Sequence, residues 1–290
     1  MLVGYAPGGG VDTTARLMAQ KFSDAWGQNV VVDNRPGASS IIATDIVAKA
    51  IPNGYTMIMV SSGHAINASL YGKLPYDPIK DVAPISLVAL APNMITAHPS
   101  VPVSSARELV ALAKSKPEQI TYASPGSGTT AHLAMALFVS TTGIKLIHIP
   151  YKGGSPSAIA AISGQTQLLS SSLPSGLPHV RSGKLKVIGV TTARRTQLAP
   201  DLPTIAEGGV PGYEAITWYG ALTTAGTPAS IINKVNAEIE RANQDRNVRE
   251  RYQALGFEPF RNTPGQFAEL IKTDIAKWRK VVRESGVRAD

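Results

Sequence analysis

Two short segments carry residue types that could do chemistry: APGGGVDTTAR at 6–16 and ASPGSGTTAHLAMALF at 123–138. In each, an apolar or β-branched run ends in glycines, and a helical pattern opens at once. Glycine takes positive φ without steric cost and lets a ligand approach the main chain. A helix start offers N–H groups without acceptors and the positive end of the helix dipole. Together these make an anion site. The first turn therefore nominates Gly8, Gly9, Gly10 and Asp12, the glycines as room for a ligand and Asp12 first of all as the N-cap of a helix starting near it. The second nominates Gly126, Ser127, Gly128, Thr129 and Thr130, whose hydroxyls add donors.

Gly126, Gly128 and Ala131 also match the dinucleotide pattern G-x-G-x-x-G/A. That pattern needs a ribose-binding acid about twenty residues on, and no Asp or Glu occurs from Gln119 to Pro200. Two similar turns, one in each half, instead suggest helix starts facing across a cleft. Three or four charge-assisted hydrogen bonds of about 1.5–3 kcal/mol each, less closure costs, reach about 8 kcal/mol, which is micromolar binding.

Catalytic and metal constellations are not evident. The histidines 64, 98, 132, 148 and 179 show no H-x-x-x-H or H-E-x-x-H spacing, so no metal or cofactor is expected. Neither a G-x-S-x-G elbow nor a G-x-x-x-x-G-K-[ST] loop occurs. His132, one helical turn past the second glycine turn, reads equally as a ligand contact or as a capping or packed residue. Ser61, Ser62, His64 and Asn67 lie at a strand-to-loop junction and either line the cleft or stabilise a turn. The run Tyr151-Lys152-Gly153-Gly154 is a further strand end and glycine turn, with a helix at Ser155-Pro156 and Lys152 as a source of positive field.

The elements that must position these residues alternate between short β-branched runs and amphipathic stretches, the mark of an α/β fold with mainly parallel strands. Strands are predicted at 2–6, 30–33, 55–61, 85–90, 94–98, 120–124, 165–170, 186–191 and 215–223. A first helix carries Leu17, Met18, Phe22 and Trp26 and closes at Gly27. Thr227-Pro228 and Thr263-Pro264 each place a cap and an N1 proline before a late helix. The 290 residues, 43% hydrophobic, suffice for two lobes, and no apolar run is long enough to span a bilayer. The absence of cysteine excludes disulfides and thiolate chemistry. A formal charge of +8 suggests an anionic partner, but the basic residues are scattered and aromatics are 6%, which argues against nucleic acid. The stretch without acids carries Lys145, Lys152, Arg181, Lys184, Lys186, Arg194 and Arg195, and is expected to form most of a second lobe inserted into the first.

From end to end, APGGGVD, VDNRPGA, GYTMIMVSSGHAINASLY, LPYDPIKDVAPISLVA, YASPGSGTTAHL, IPYKGG, HVRSGKLKVIGVTTARR, PDLPTIAEGGVPGYE and WYGALTTAGTP occur in order. On these segments the chain resembles the Bug/TctC family, the extracytoplasmic solute-binding proteins of tripartite tricarboxylate transporters. The resemblance implies a type II periplasmic-binding-protein fold: two α/β lobes with the ligand cleft between them, lobe I from 1–98 and 219–290, lobe II from 99–218, with crossovers near 97–99 and 218–220. It extends the candidate contacts to Pro7 and Val11 in the first turn and Ser124 in the second. It implies a small carboxylate ligand (a di- or tricarboxylate, acidic amino acid or aromatic acid), membrane permease subunits as partners, a monomer, a periplasmic location and no catalysis. Three departures stand against the family pattern. No secretory signal precedes the first strand, the start at Met1 trims that strand, and HLAMALF has Ala136 where an acid is expected. Other readings are a ligand-sensing module for a signalling receptor, or a nucleotide- or phosphate-binding α/β enzyme.

Overall fold

The computed structural model describes residues 1–5, 7–151 and 153–285. In chain order the elements are β1 (Leu2–Val3), α1 (Gly10–Trp26), β2 (Asp33–Asn34), a 3-10 turn (Ala38–Ser40), α2 (Ile41–Ala48), β3 (Met57–Ser61), α3 (Gly63–Leu70) and β4 (Val82–Ala97). There follow α4 (Ala106–Ser115), β5 (Thr121–Ser124), α5 (Thr130–Thr142), β6 (Ile147–Pro150), α6 (Gly154–Ile162), β7 (Leu168–Ser172), α7 (Leu173–Arg181) and β8 (Lys186–Val190). The chain closes with β9 (Ile216–Thr224), α8 (Ala229–Gln244), α9 (Arg246–Ala254), β10 (Glu258–Pro259) and α10 (Pro264–Ser285).

Two compact units result: Met1–Leu90 with Trp218–Arg279, and Ala91–Thr217 with the end of α10 from Lys280. The first division falls inside β4 rather than at 98/99, because β4 is one strand where the sequence suggests two, at 85–90 and 94–98. Pro92 does not interrupt it. Beside the proline, Asn93 N–H donates to Thr191 Oγ1 at 3.1 Å and Asn93 O accepts from Thr191 N at 2.9 Å, so the ladder continues.

In the first unit β1 lies between β2 and β3, parallel to both, while β9 runs antiparallel to β3 and β10 antiparallel to the first half of β4. The second unit repeats the arrangement: β5 lies parallel between β6 and β7, and the second half of β4 pairs antiparallel with β7 and β8. The sheets are thus mixed, parallel at their centres and antiparallel where the chain returns. Each central trio feeds directly into helices, so α1, α2 and α3 start at the carboxyl edge of one trio and α5, α6 and α7 at that of the other. Open α/β sheets present ligand sites at this edge.

Packing holds these edges in place. The α1 face Val11, Ala15, Met18, Ala19 and Phe22 is buried, and Gly27 ends the helix in the left-handed conformation, its N–H bonded to Ser23 O. Small residues on α6, Ala158 and Ala161, let it sit close on Ala123 and Leu169. For α10 the expected cap forms: Gln266 N–H donates to Thr263 Oγ1 at 3.2 Å and Thr263 N–H to Gln266 Oε1 at 2.9 Å, a reciprocal capping box. For α8 the start moves on by one residue, with Pro228 at the cap position, because the Thr227 hydroxyl turns back to Thr224 O.

Where β9 enters the first unit, Trp218 is fully buried, edge-on to Phe267 with ring centroids 5.3 Å apart. Its Nε1–H donates to Asp274 Oδ2 at 2.7 Å. Removing that acceptor strands a buried donor, which costs about 1–3 kcal/mol. Asp274→Ala should lower the urea midpoint by the corresponding amount with an unchanged slope, followed by tryptophan fluorescence; an unchanged midpoint would show that the bond is not needed.

Candidate functional site

In the first unit the main chain leaves β1 and turns through Pro7, Gly8 and Gly9, all exposed, into α1. Helix α1 begins at Gly10, not at Asp12, and its cap residue is Gly9 (φ −77°, ψ 170°), without a side-chain cap. Asp12 is therefore the third helical residue, and its carboxylate folds back over the turn instead of capping from in front. Asp12 Oδ2 accepts from Gly8 N–H at 2.9 Å and from Arg16 Nε at 2.9 Å, and Oδ1 accepts from Asn34 Nδ2 at 2.8 Å. Asn34 also donates to Tyr5 O at 3.0 Å and accepts from Arg16 Nη2 at 2.9 Å. Asp12 is only 2% exposed. Its burial alone would raise the carboxyl pKa, but the bonds from Arg16, Gly8 and Asn34 together hold it below the usual value, so it stays charged.

Each glycine has its own local constraint. Gly8 has φ +90°, and a Cβ there would meet nothing within 4 Å, so the backbone conformation alone calls for glycine. At Gly10 the close approach comes from the protein itself. A Cβ would collide with the ring of Tyr219, which packs with Phe257 at a centroid distance of 4.9 Å. Main-chain donors remain at the turn. The first intrahelical bond runs from Thr13 N to Gly9 O, which leaves the N–H groups of Gly10, Val11 and Asp12 without a helical acceptor.

Ser61 lies at the neighbouring strand end. Its hydroxyl accepts from Gly63 N–H at 3.3 Å and lies 3.3 Å from Tyr5 OH, a serine-stabilised turn. Ser62 and His64 do not face an opening: both are buried, and His64 Nε2 bonds to Pro78 O at 2.9 Å beside the Tyr76 ring. Burial lowers the His64 pKa. Ser62 stands at the cap position of α3 without a side-chain cap bond. The sequence gives little notice of the third loop at this edge, where Ala38, Ser39 and Ser40 take φ of 44°, 52° and 76° in succession. Left-handed non-glycine residues cost about 1–2 kcal/mol each and gather at functional sites. Asn67 Nδ2 donates to Ser39 O at 2.8 Å and Tyr71 OH to Ser39 Oγ at 3.3 Å, which hold the strained run.

The second unit builds its turn from Ser124 to Thr130. Ser124 Oγ accepts from Gly126 N–H at 3.2 Å and is hydrogen-bonded to His148 Nε2 at 2.7 Å. Gly126 (φ +147°) and Gly128 (φ +73°) both take conformations that favour glycine, and a Cβ at Gly126 would stand 3.3 Å from Tyr151 O. Thr129 caps α5, its hydroxyl accepting from His132 N–H at 3.2 Å and donating to Gly126 O at 2.8 Å. His132 is buried, its Nδ1 accepting from Gly128 N–H at 3.0 Å. It packs as a wall of the turn, stacked on His148 at 3.8 Å, with Tyr122 at 4.8 Å from His148 on the same stack. Thr130 and Ala131 precede the first intrahelical bond, Leu133 N to Thr129 O, so their N–H groups point out of the helix end. The hydroxyls of Ser127 and Thr130 have no protein partner among the described residues. The adjoining β6–α6 turn docks through Gly153 N to Pro125 O at 2.9 Å; Lys152 lies outside the described residues.

The structure thus assembles Gly8–Asp12 in one unit and Ser124–Thr130 with His132 in the other, each at a carboxyl edge. Sequence reasoning missed Tyr5, Arg16, Asn34, Tyr219 and His148. Only Arg16 had a local signal, as a base four residues after Asp12.

Two α/β units, each gathering helix starts with free main-chain donors at one edge, have the build of a solute receptor. The sequence profile described as "Tripartite tricarboxylate transporter family receptor" (TctC) matches residues 14–287, and the chain belongs to that family. It is 35% identical over 290 residues to protein BugT of Bordetella pertussis, covering 99% of this chain and 89% of that one. Among solved structures it is similar to R. palustris Rpa4515 with adipate (35% identity, TM-score 0.81, 99% and 97% of the two chains). It is also similar to MatC from Rhodopseudomonas palustris with bound malate (30% identity, TM-score 0.78, 97% of each chain). The fold is that of the two-lobed periplasmic binding proteins, and the protein is a solute-binding protein of the TctC/Bug type, not an enzyme.

The buried imidazole has a measurable consequence. Burial first, and the neighbouring His148 second, push the His132 pKa down from 6.5 to about 3. The unfolded chain then takes up the proton first, so the stability present above pH 6.5 declines toward pH 3 and levels off below it. Asparagine at this position has no such titration. Thermal melts should show wild type losing ground to His132→Asn as pH is lowered from 7 to 3.5; a constant difference would mean that His132 is not held neutral.

Proposed function

We propose that this chain is the extracytoplasmic receptor that captures a small carboxylate and presents it to the membrane permease subunits of a tripartite tricarboxylate transporter. It works in the periplasm as a monomer. The observation that carries this reading is the pair of glycine turns, Gly8–Asp12 and Gly126–Ala131, each with helix-start N–H groups that the fold does not use. Such donors bind anions, and the second turn adds the Ser127 and Thr130 hydroxyls. The stretch from Gln119 to Pro200 is free of Asp and Glu, so no carboxylate of its own competes with an anion at that turn. Rpa4515 and MatC were solved with adipate and malate. They direct the reading to aliphatic dicarboxylates, whose two charged ends match a site made of main-chain donors rather than a deep apolar pocket.

A thermal-shift panel of adipate, malate, citrate, glutamate, benzoate and a nucleotide tests this directly. An upward shift with at least one dicarboxylate and none with the nucleotide is expected; shifts with the nucleotide alone would reverse the conclusion. A residue-level test is Gly128→Val. A β-branched side chain at φ +73° costs about 1–2 kcal/mol and distorts the turn, so the variant should stay folded by circular dichroism yet give no shift with the responding dicarboxylate. Normal binding by that variant would place the site elsewhere.

A further inference from the structure

The loop between α2 and β3 carries IPNGYT at 51–56, a segment the receptor reading does not use. Asn53-Gly54 is the one Asn-Gly pair in the sequence. Asn53 and Tyr55 are exposed, and Gly54 takes φ +81°. The asparagine forms an Asx turn, in which Tyr55 N–H donates to Asn53 Oδ1 at 3.1 Å. That bond folds the side-chain amide over the next peptide, with Gly54 N lying between the two bonded residues. We propose that Asn53 is a site of spontaneous covalent modification, where Gly54 N displaces the side-chain amide as ammonia and leaves aspartate or isoaspartate in the turn.

The reaction needs only water and hydroxide. Hydroxide takes the Gly54 amide proton, and the nitrogen attacks Asn53 Cγ. A C–N bond forms and the carbonyl electrons move onto Oδ1. Their return expels Nδ2, which takes a proton from water and leaves as ammonia. Water then adds to one of the two carbonyls of the resulting succinimide and reopens the ring, restoring Gly54 N–H. Opening at Cγ yields aspartate. Opening at the main-chain carbonyl yields isoaspartate, whose chain runs through Cβ.

Three features of the fold favour this step at Asn53. Tyr55 N–H stands at the oxygen where negative charge develops, the arrangement that stabilises an oxyanion. Gly54 N–H has no acceptor among the described residues, so no bond is lost with its proton, and glycine sets no Cβ beside the closing ring. The leaving group, Asn53 Nδ2, likewise has no partner among the described residues. By contrast, the side-chain nitrogens of Asn34, Asn67, Asn93, Asn236, Asn243 and Asn262 all donate to protein oxygens, which holds those amides where they are. Isoaspartate would also be felt in the first unit. A Cβ at Gly54 would collide with Ile231, and one at Gly226 would stand 3.8 Å from Pro52 Cβ, so the turn is packed on the start of α8 without room for a longer main chain.

Peptide mapping by mass spectrometry of the folded protein, incubated for days in mildly alkaline buffer, tests this. The tryptic peptide between Lys49 and Lys73 contains both Asn53 and Asn67, so the second asparagine is an internal control. Asn53 should gain about one dalton, split between aspartate and isoaspartate, while Asn67 stays unchanged. The rate should rise about tenfold per pH unit, because hydroxide supplies the base. It should also lie within about tenfold of the rate in the isolated peptide, because the folded turn already brings the reacting groups together. Asn53→Gln, whose longer side chain closes a six-membered ring far more slowly, should show no gain at that position. That variant should also keep its Tm through the incubation, whereas the Tm of the wild type falls as isoaspartate accumulates. No gain at Asn53, equal gains at Asn53 and Asn67, or a folded rate more than about a hundredfold below that of the peptide overturns the proposal. None of these outcomes bears on the carboxylate reading.

Discussion

A helix begins with N–H groups that have no carbonyl to receive them, and the two turns of this protein are organised around that deficit. Some of these donors are satisfied from within. Gly8 N–H is held by Asp12, Gly128 N–H by His132, and His132 N–H by the Thr129 hydroxyl. The others, at Gly10, Val11, Asp12, Thr130 and Ala131, are left at the helix ends. The satisfied set fixes the shape of the loop, and the unsatisfied set is what a ligand can use. A loop shaped in advance loses less conformational freedom when it binds.

Rigid backing makes this possible. Behind the first turn the Tyr219 ring occupies the space a side chain at Gly10 would need, with Phe257 against it. Behind the second stand the rings of His132, His148 and Tyr122. In both places planar groups fill the gap between the turn and the core, and the loops cannot sink into the protein when their outer face is empty. The left-handed run at Ala38–Ser40 belongs to the same edge as the first turn, and its strain is held by bonds from Asn67 and Tyr71.

The relationship to other TctC receptors explains the shared frame but not the details of charge. At 30–35% identity over nearly the whole chain, the α/β units are common property. Ala136, where an acid was expected, is buried, and the α5 helix carries no acid at all, in keeping with the acid-free stretch around it. Three of the cations of that stretch, Lys145, Arg181 and Arg195, pair with Glu118, Asp201 and Glu207 from outside it, while the first unit keeps a charged carboxylate inside its turn.

Much of this was legible in the sequence because it depends on neighbours along the chain. Glycine turns after apolar runs, the Gly27 end of α1, the Thr263-Pro264 start of α10 and the parallel βα units all follow from local preferences and periodicity. Errors of one or two residues, such as α1 starting at Gly10 and α8 after Pro228, arose where a side chain bonded backward instead of forward. What the sequence could not decide were roles set by distant partners. Asp12 became a clamp instead of a cap because Asn34 comes up beside it from β2. The space a side chain at Gly10 would need is taken by Tyr219, more than two hundred residues on. His64 turned inward to Pro78, and His132 into a stack with His148. The strand β4 ran through Pro92 because Thr191 could bond Asn93 across the sheet. Which atoms a polar side chain can reach is a matter of through-space distance, and only folding brings those atoms together.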